Sequence, residues 1–207
     1  MGISTVIIAP HIDDEILGCA SILNSSTFIC YLGVEDRSYV SAEERKFELK
    51  NASLKKGFSY DVYGCSVNNY TVPQIIPIIE STINKYQPSS VFIPNYSYNQ
   101  DHKTVYDAAM VALRHHDQNY FVKKVFVYEQ PHDFLWLVEH FNPNFFIPLN
   151  IQDKIETYKI YASQVRNHRS PETIISMAKL RGAQANIEYA EAFQCIRFVS
   201  DGSERLN

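Results

Sequence analysis

No apolar run in this sequence approaches the ~18 residues that a membrane-spanning helix needs, which sets aside a transmembrane helix and leaves a peripheral membrane contact open. Cysteine is sparse and unpatterned. Cys19, Cys30, Cys65 and Cys195 form no C-x-x-C pair, so neither a zinc ribbon nor a dithiol redox motif is expected. Three of them sit within or beside apolar runs, which fits buried free thiols in a reducing cytosol. No Lys/Arg-rich stripe interrupts a chain of net charge −4, and a nucleic-acid partner is therefore not expected. The lysines between Lys46 and Lys56 alternate with apolar residues and read as one solvated helix face. Met1-Gly2-Ile3-Ser4 runs into an apolar strand without a secretory leader, so a cytoplasmic protein is the expectation. Val6 stands where a myristoylation signal wants Ser or Thr. With no internal repeat, low-complexity tract or linker, residues 1–207 are expected to form a single domain around one core.

What the sequence does contain is concentrated in Ala9-Pro10-His11-Ile12-Asp13-Asp14-Glu15, an imidazole and three carboxylates within five residues. Thr5-Val-Ile-Ile-Ala9 before it is a short β-branched run, suited to a strand buried on both faces of a parallel sheet. Glu15 to Leu23 after it has apolar residues at helical spacing. The acids therefore sit on a strand-to-helix turn, at the carboxyl end of a strand, where open α/β sheets bind ligands. His11 and Asp14 are three apart and can converge on one metal, leaving Asp13 free as a base. Capping of a helix N-terminus by the same aspartates is the competing account. A hydrolytic metal site takes three protein ligands and keeps one position open, so a third ligand must come from elsewhere.

Strands alternate with helices along the chain. Thr27–Leu32 reads as a second strand, Ser41-Ala-Glu-Glu44 as a capping box opening a helix to Lys56, and Gly57 as its stop. Phe47, Leu49, Ala52 and Leu54 give that helix a loose apolar face, and Arg45 and Glu48, three apart, are either a surface pair, which the spacing favours, or residues that reach the sheet's edge. Tyr60–Gly64 is a short strand, Pro73 starts a helix through Ile83, and Ser90–Pro94 is the next buried strand. Lys124–Tyr128 and Phe145–Leu149 follow as strands, the latter at an edge because of Pro148. Helices over 153–166 and from Pro171 to about Leu180 precede a closing strand, Ala192–Val199. This order predicts a Rossmann-like α/β fold, a mostly parallel sheet with helices on both faces and right-handed crossovers.

The loop Asn95-Tyr-Ser-Tyr-Asn-Gln-Asp-His102 also follows a strand and precedes a helix, set to begin at Lys103. By the same alternation His102 belongs on the same rim as His11. Imidazolium is disfavoured at a helix N-terminus, whereas neutral imidazole is what a metal binds; plain capping or packing is the other account. His115 and His116 suit the C-terminus of that helix. His132, His140 and His168 have no carboxylate at useful spacing and read as structural or solvated.

Taken together, these segments resemble the PIG-L/LmbE-like deacetylases, zinc enzymes that remove N-acetyl groups from glucosamine-containing substrates. The family's A-H-P-D-D-E stands here as residues 9–15, and its D-H before a helix as Asp101-His102. Arg45-Lys-Phe-Glu-Leu49 is similar to its R-x-x-E-L, Lys154 through Ala162-Ser-Gln164 to its K…A-x-x-S-Q, and Tyr189-Ala-Glu-Ala-Phe193 to its Y-A-E-A-F. The resemblance implies that His11, Asp14 and His102 bind zinc, with Fe(II) as a metal the same open site accepts. It implies Asp13 as general base, Arg45 reaching substrate hydroxyl or phosphate groups, and Glu48 orienting its helix.

Two departures stand out. Ile12 replaces the proline between His and Asp. Asn99 stands where many members have a histidine that serves the oxyanion; it can donate a neutral hydrogen bond but neither a proton nor a charge. Loss of one oxyanion donor costs about 10² to 10³ in kcat. The expected function is hydrolysis of the N-acetyl group of an N-acetylated amino sugar or its conjugate. A catalytically impaired metal- or sugar-binding protein, and a hydrolase of another small acyl group such as formyl, are the alternatives. Tyr96 and Tyr98 are candidate phenolic donors or simple packing. The aromatic stretch Phe134 to Phe146 is either a specificity wall or a surface for a homo-oligomer.

Overall fold

The computed structural model describes residues 2–115, 118–136, 141–200 and 202, so the expectations for His116 and His140 lie outside the described residues. Its strands are β1 (Thr5–Ala9), β2 (Thr27–Tyr31), β3 (Ser59–Val62), β4 (Ser90–Pro94), β5 (Lys124–Tyr128), β6 (Phe145–Pro148) and β7 (Ala190–Phe198). They form one sheet in the order β3-β2-β1-β4-β5-β7-β6. The first five are parallel; β7 runs antiparallel to both β5 and β6. β6 is an edge, as Pro148 requires.

Strand alternation explains the two cores. Ile7 and Ala9 of β1 face one side, where Leu49 and Ala52 of α2 (Ala42–Lys56), Ile155 and Tyr158 of α5 (Ile151–Tyr158) and Ile174 of α6 (Pro171–Gln184) cover them. Val6 and Ile8 face the other, under Ile75, Ile79 and Ile83 of α3 (Val72–Tyr86) and Val105 and Ala109 of α4 (Gln100–Ala112). This is the doubly wound arrangement that the alternation predicts. The sheet order reverses direction between β1 and β4, which opens a crevice beyond their carboxyl ends.

Several elements depart from the sequence reading. α2 runs as expected, with the Ser41 side chain accepting from Glu44 N–H and Gly57 closing it at φ 82°. Its inner face, however, is Arg45, Glu48, Leu49 and Ala52, while Phe47 and Leu54 point outward. Arg45 and Glu48 are thus a buried pair, because both reach polar partners behind the helix. α1 spans only Asp14–Gly18, and a 3₁₀ turn (Ala20–Ile22) follows it. Gly18 lies so close to β5 that a Cβ there would meet Tyr128 at 2.5 Å, and the chain has to bend away. α4 starts at Gln100 rather than Lys103, because Asn99 caps it, accepting from Asp101 and His102 N–H. α5 stops at Tyr158; a 3₁₀ turn, Ala162–Gln164, stands where the expected helix continued, and a second, Asn167–Arg169, follows it. The Tyr158 hydroxyl reaches the carbonyls of both Gln164 and Arg169, holding that irregular stretch down.

The broken end of α1 is completed from far along the chain. The Glu191 carboxylate accepts from Ala20 N–H (2.9 Å) and Ser21 N–H (2.7 Å), and Lys154 Nζ donates to Glu191 (2.6 Å) and to the Leu17 carbonyl (2.7 Å). Removing one partner of such a buried pair strands the other charge. Lys154→Met is expected to lower the unfolding free energy by about 3–5 kcal/mol in denaturant titrations. A Lys154→Met/Glu191→Gln double variant should recover part of that loss.

Candidate metal centre

The loop after β1 is bent by its own donors. Asp13 has φ 104°, a left-handed conformation unusual for a residue with a side chain. Three contacts hold it: Asp13 N–H donates to Glu15 Oε2 (3.1 Å), Arg45 Nη2 donates to the Ile12 carbonyl, and Tyr70 donates to the Pro10 carbonyl (2.8 Å). Ile12, between His11 and Asp13, is fully buried in the core. The turn delivers His11 and Asp14 to the crevice beside the first turn of α4, which carries His102.

There the three expected ligands meet. One ligand atom from each of His11, Asp14 and His102 falls within 4.8 Å of the others. His11 Nδ1 lies 3.7 Å from Asp14 Oδ2, and His102 Nε2 lies 3.5 Å from Asp14 Oδ1. Tetrahedral coordination at bonds of about 2.0–2.2 Å places ligand atoms about 3.4 Å apart, so the set can coordinate a metal ion with little adjustment. His11 turns its other nitrogen to Asp101 Oδ2 at 2.8 Å, the carboxylate support that orients metal-binding imidazoles.

Electrostatics point the same way. Burial, then the His132, His11 and Arg169 charges, push the His102 pKa well below 6.5 and keep the imidazole neutral. Burial is also the largest influence on His11 and lowers its pKa, but the Asp101 hydrogen bond and the charges of Asp14, Asp101 and Asp13 outweigh it and leave the pKa raised. Burial lifts Asp14 to about 7 against the opposing charge of His11. A carboxylate so placed favours a proton or a cation, and a divalent ion reverses that balance.

Asp13 lies beside the cluster with both oxygens flanked by guanidinium groups, Arg45 Nη2 at 3.4 Å from Oδ1 and Arg169 Nη1 at 3.1 Å from Oδ2. Arg45 is 1% exposed. Its clearest contacts are therefore to the loop that carries Asp13, although it also borders the cavity. Glu48 accepts from Ser163 N–H (2.8 Å) and Ser163 Oγ (2.6 Å), tying α2 to the first 3₁₀ turn after α5. Asn99 also borders the cavity, but its Oδ1 is spent on the α4 cap. Tyr98 faces the cavity, whereas Tyr96 packs edge-on against Tyr106.

The cavity over these residues measures about 220 Å³ and has a polar lining that the sequence reading did not fully anticipate. His132, half-buried, and His168, exposed as a solvated histidine should be, both border it, as do Gln130 and Arg169. The His132 ring sits edge-on to His102 with centroids 4.9 Å apart. Burial, then the charges of Arg169 and His11, bring its pKa down to about 4. A signal for it existed: Glu129 to His132 follow β5 at the same rim, so the rule that placed His102 also places His132. Asp101 was equally legible as the neighbour of His102. Arg169 had no such mark, since it lies beyond a helix that ends early.

Behind the site, Tyr161 donates to Glu15 Oε1 at 2.5 Å. Burial, opposed by hydrogen bonds from Tyr161 and Tyr31, raises Glu15 to about 7 from 4.5. The folded protein therefore binds a proton here that the unfolded chain releases near pH 4.5. Stability from this group is present below about pH 4.5 and is lost as the pH rises toward 7. Unfolding midpoints of metal-free protein across that window should fall more steeply for wild type than for Glu15→Gln; parallel curves would contradict the assignment.

No protein-family model and no curated protein matches the chain. Solved structures do match in fold. A conserved protein of Thermus thermophilus, TT1542, is 21% identical with TM-score 0.80, covering 98% of this chain and 99% of that one. An N,N'-diacetylchitobiose deacetylase from Pyrococcus horikoshii is 16% identical with TM-score 0.74, covering 97% and 88%. GalB, a 4-carboxy-2-hydroxymuconate hydratase from Pseudomonas putida, is 17% identical with TM-score 0.76 and full coverage of both chains.

Proposed function

We propose that this chain is a zinc-dependent N-deacetylase of the PIG-L/LmbE-like family, a single-domain cytoplasmic protein acting on an N-acetylated amino sugar of the N-acetylglucosamine type or its conjugate. The observation that carries the reading is the convergence of His11, Asp14 and His102 beside Asp13 in one polar cavity. The fold likeness to a diacetylchitobiose deacetylase supports it. Fold alone does not choose a chemistry, because a hydratase shares this architecture.

His11, Asp14 and His102 would hold the ion, which supplies a Lewis acid for the amide carbonyl and lowers the pKa of water to about 7. Asp101 fixes the His11 ring for that task. A carboxylate oxygen of Asp13 takes the proton of the attacking water and returns it to the departing amine nitrogen. Arg45 and Arg169 restrict the directions in which that carboxylate can turn. His132 and the Asn99 amide line the same cavity and are the neutral donors we assign to the oxyanion, His132 Nε2 lying 3.1 Å from Ser97 Oγ.

The test is acetate and free-amine release from N-acetylglucosamine, N,N'-diacetylchitobiose and N-formylglucosamine, with metal content measured on protein purified without added ions. Stoichiometric zinc and release of acetate bear the reading out. A metal-loaded protein that binds sugar without releasing any acyl group would instead be the impaired binder.

A further inference from the structure

The irregular stretch after α5 places basic groups over the same cavity. Arg166, His168 and Arg169, on and just before the second 3₁₀ turn, all border it. The turn is held by the Arg169 N–H donating to the Arg166 carbonyl (3.0 Å) and by the Tyr158 hydroxyl on the Arg169 carbonyl (2.8 Å). Of the two arginines, Arg169 is paired with a local carboxylate, and Arg166 is the one left to meet a ligand. Arg169 shares Asp13 with Arg45, donates to Gln164 Oε1 at 2.7 Å, and keeps a buried Nε without a hydrogen-bond partner. Glu35, the cavity's remaining carboxylate beyond Asp13 and Asp14, lies 3.3 Å from Arg37. Arg166 is exposed, with its guanidinium 5.8 Å from the Tyr39 ring centroid, and among the described residues no ion pair engages it. Burial and then the Arg169 and Arg166 charges lower the His168 pKa, a mark of a locally positive field.

We propose that Arg166, His168 and Arg169 form a subsite for an anionic substituent of the substrate, a phosphate ester or carboxylate borne by the N-acyl amino sugar. The inference rests on the deacetylase reading, since the amide must reach His11, Asp14 and His102 while the anion meets this turn. A cavity of about 220 Å³ is smaller than the 300–1,000 Å³ that drug-sized ligands fill, so one sugar ring places its anion within reach of the rim. Planar guanidinium groups match phosphate and carboxylate oxygens in pairs, and the exposed Arg166 guanidinium is free to do so at the rim.

Two measurements on the full chain test this. Inorganic phosphate is titrated calorimetrically into protein stripped of divalent metal, so that no ion can bind the phosphate. Saturable binding is expected, weakened about tenfold in an Arg166→Gln/His168→Gln variant. Both side chains are exposed, and circular dichroism checks that the variant folds. No phosphate binding to wild type, or equal binding to both proteins, overturns the proposal. With metal restored, kcat/KM is compared for N-acetylglucosamine, its 1- and 6-phosphates, and N-acetylmuramic acid; the phosphates and the carboxylate separate the two anion types. At least one anionic substrate should exceed the neutral sugar by about tenfold, and the double variant should collapse that ratio. Equal rates for neutral and anionic sugars overturn the subsite. Phosphate binding that the variant weakens, without acyl release from any sugar, supports the subsite and sinks the deacetylase reading.

Discussion

Asp13→Asn should reduce turnover by about 10² to 10⁴-fold while leaving the bound metal in place. The amide is nearly the size of the carboxylate and suits the same left-handed turn, since Asn and Asp tolerate that backbone best. It cannot accept the proton of the attacking water. The spacing of His11, Asp14 and His102 depends on the backbone turn at Asp13, which asparagine keeps, and not on a contact from its carboxylate, so metal stoichiometry measured alongside kcat separates lost chemistry from a lost site. A drop in kcat at constant metal content is the expected pattern. Turnover within about threefold of wild type would remove Asp13 as the base. Arg45 and Arg169 lose their shared counter-charge in this variant, and a lower unfolding midpoint should accompany the kinetic defect.

Asp14→Asn is expected to abolish activity by a different route. Asp14 faces both imidazoles and supplies the site's one anionic ligand among the three. Zinc at about 100 times its dissociation constant should stabilise wild type by about 2.7 kcal/mol and do far less for the variant at the same concentration. Without metal the order reverses. Burial raises Asp14 to about 7, so its folded pKa exceeds the usual 3.8 and it destabilises the metal-free fold as pH rises between those values. Metal-free Asp14→Asn should accordingly be the more stable protein at pH 7, with zinc restoring the advantage to wild type. Equal thermal shifts with zinc in both proteins would place the ion elsewhere.

The sheet was readable in the sequence because the inner parallel strands β1, β2, β4 and β5 are short runs of apolar, β-branched and aromatic residues, and because loops at strand ends follow one spatial rule. That rule assigns His11 and His102, ninety-one positions apart, to one rim on chain order alone. The segment after β5 obeys the same rule, and His132 follows from it. Periodicity misled on α2, where Phe47 and Leu54 suggested an apolar face but the buried side is set by Arg45 and Glu48 reaching polar groups on neighbouring loops. It misled again past Tyr158, where the chain keeps helical spacing while its hydrogen bonds go to a tyrosine hydroxyl instead. Side-chain bonds between residues far apart in the chain leave no local trace.

The bond between Glu191 and the Ala20 and Ser21 amides has a consequence for synthesis. It joins segments some 170 positions apart, so the turn next to the metal ligands is finished only after β7 has slid between β5 and β6. Contacts of such long sequence separation form late. A nascent polypeptide still emerging from the ribosome thus carries its acidic cluster on an unfinished scaffold, and any metal held by His11, Asp14 and His102 would meet the completed turn only after the C-terminal strand is in place.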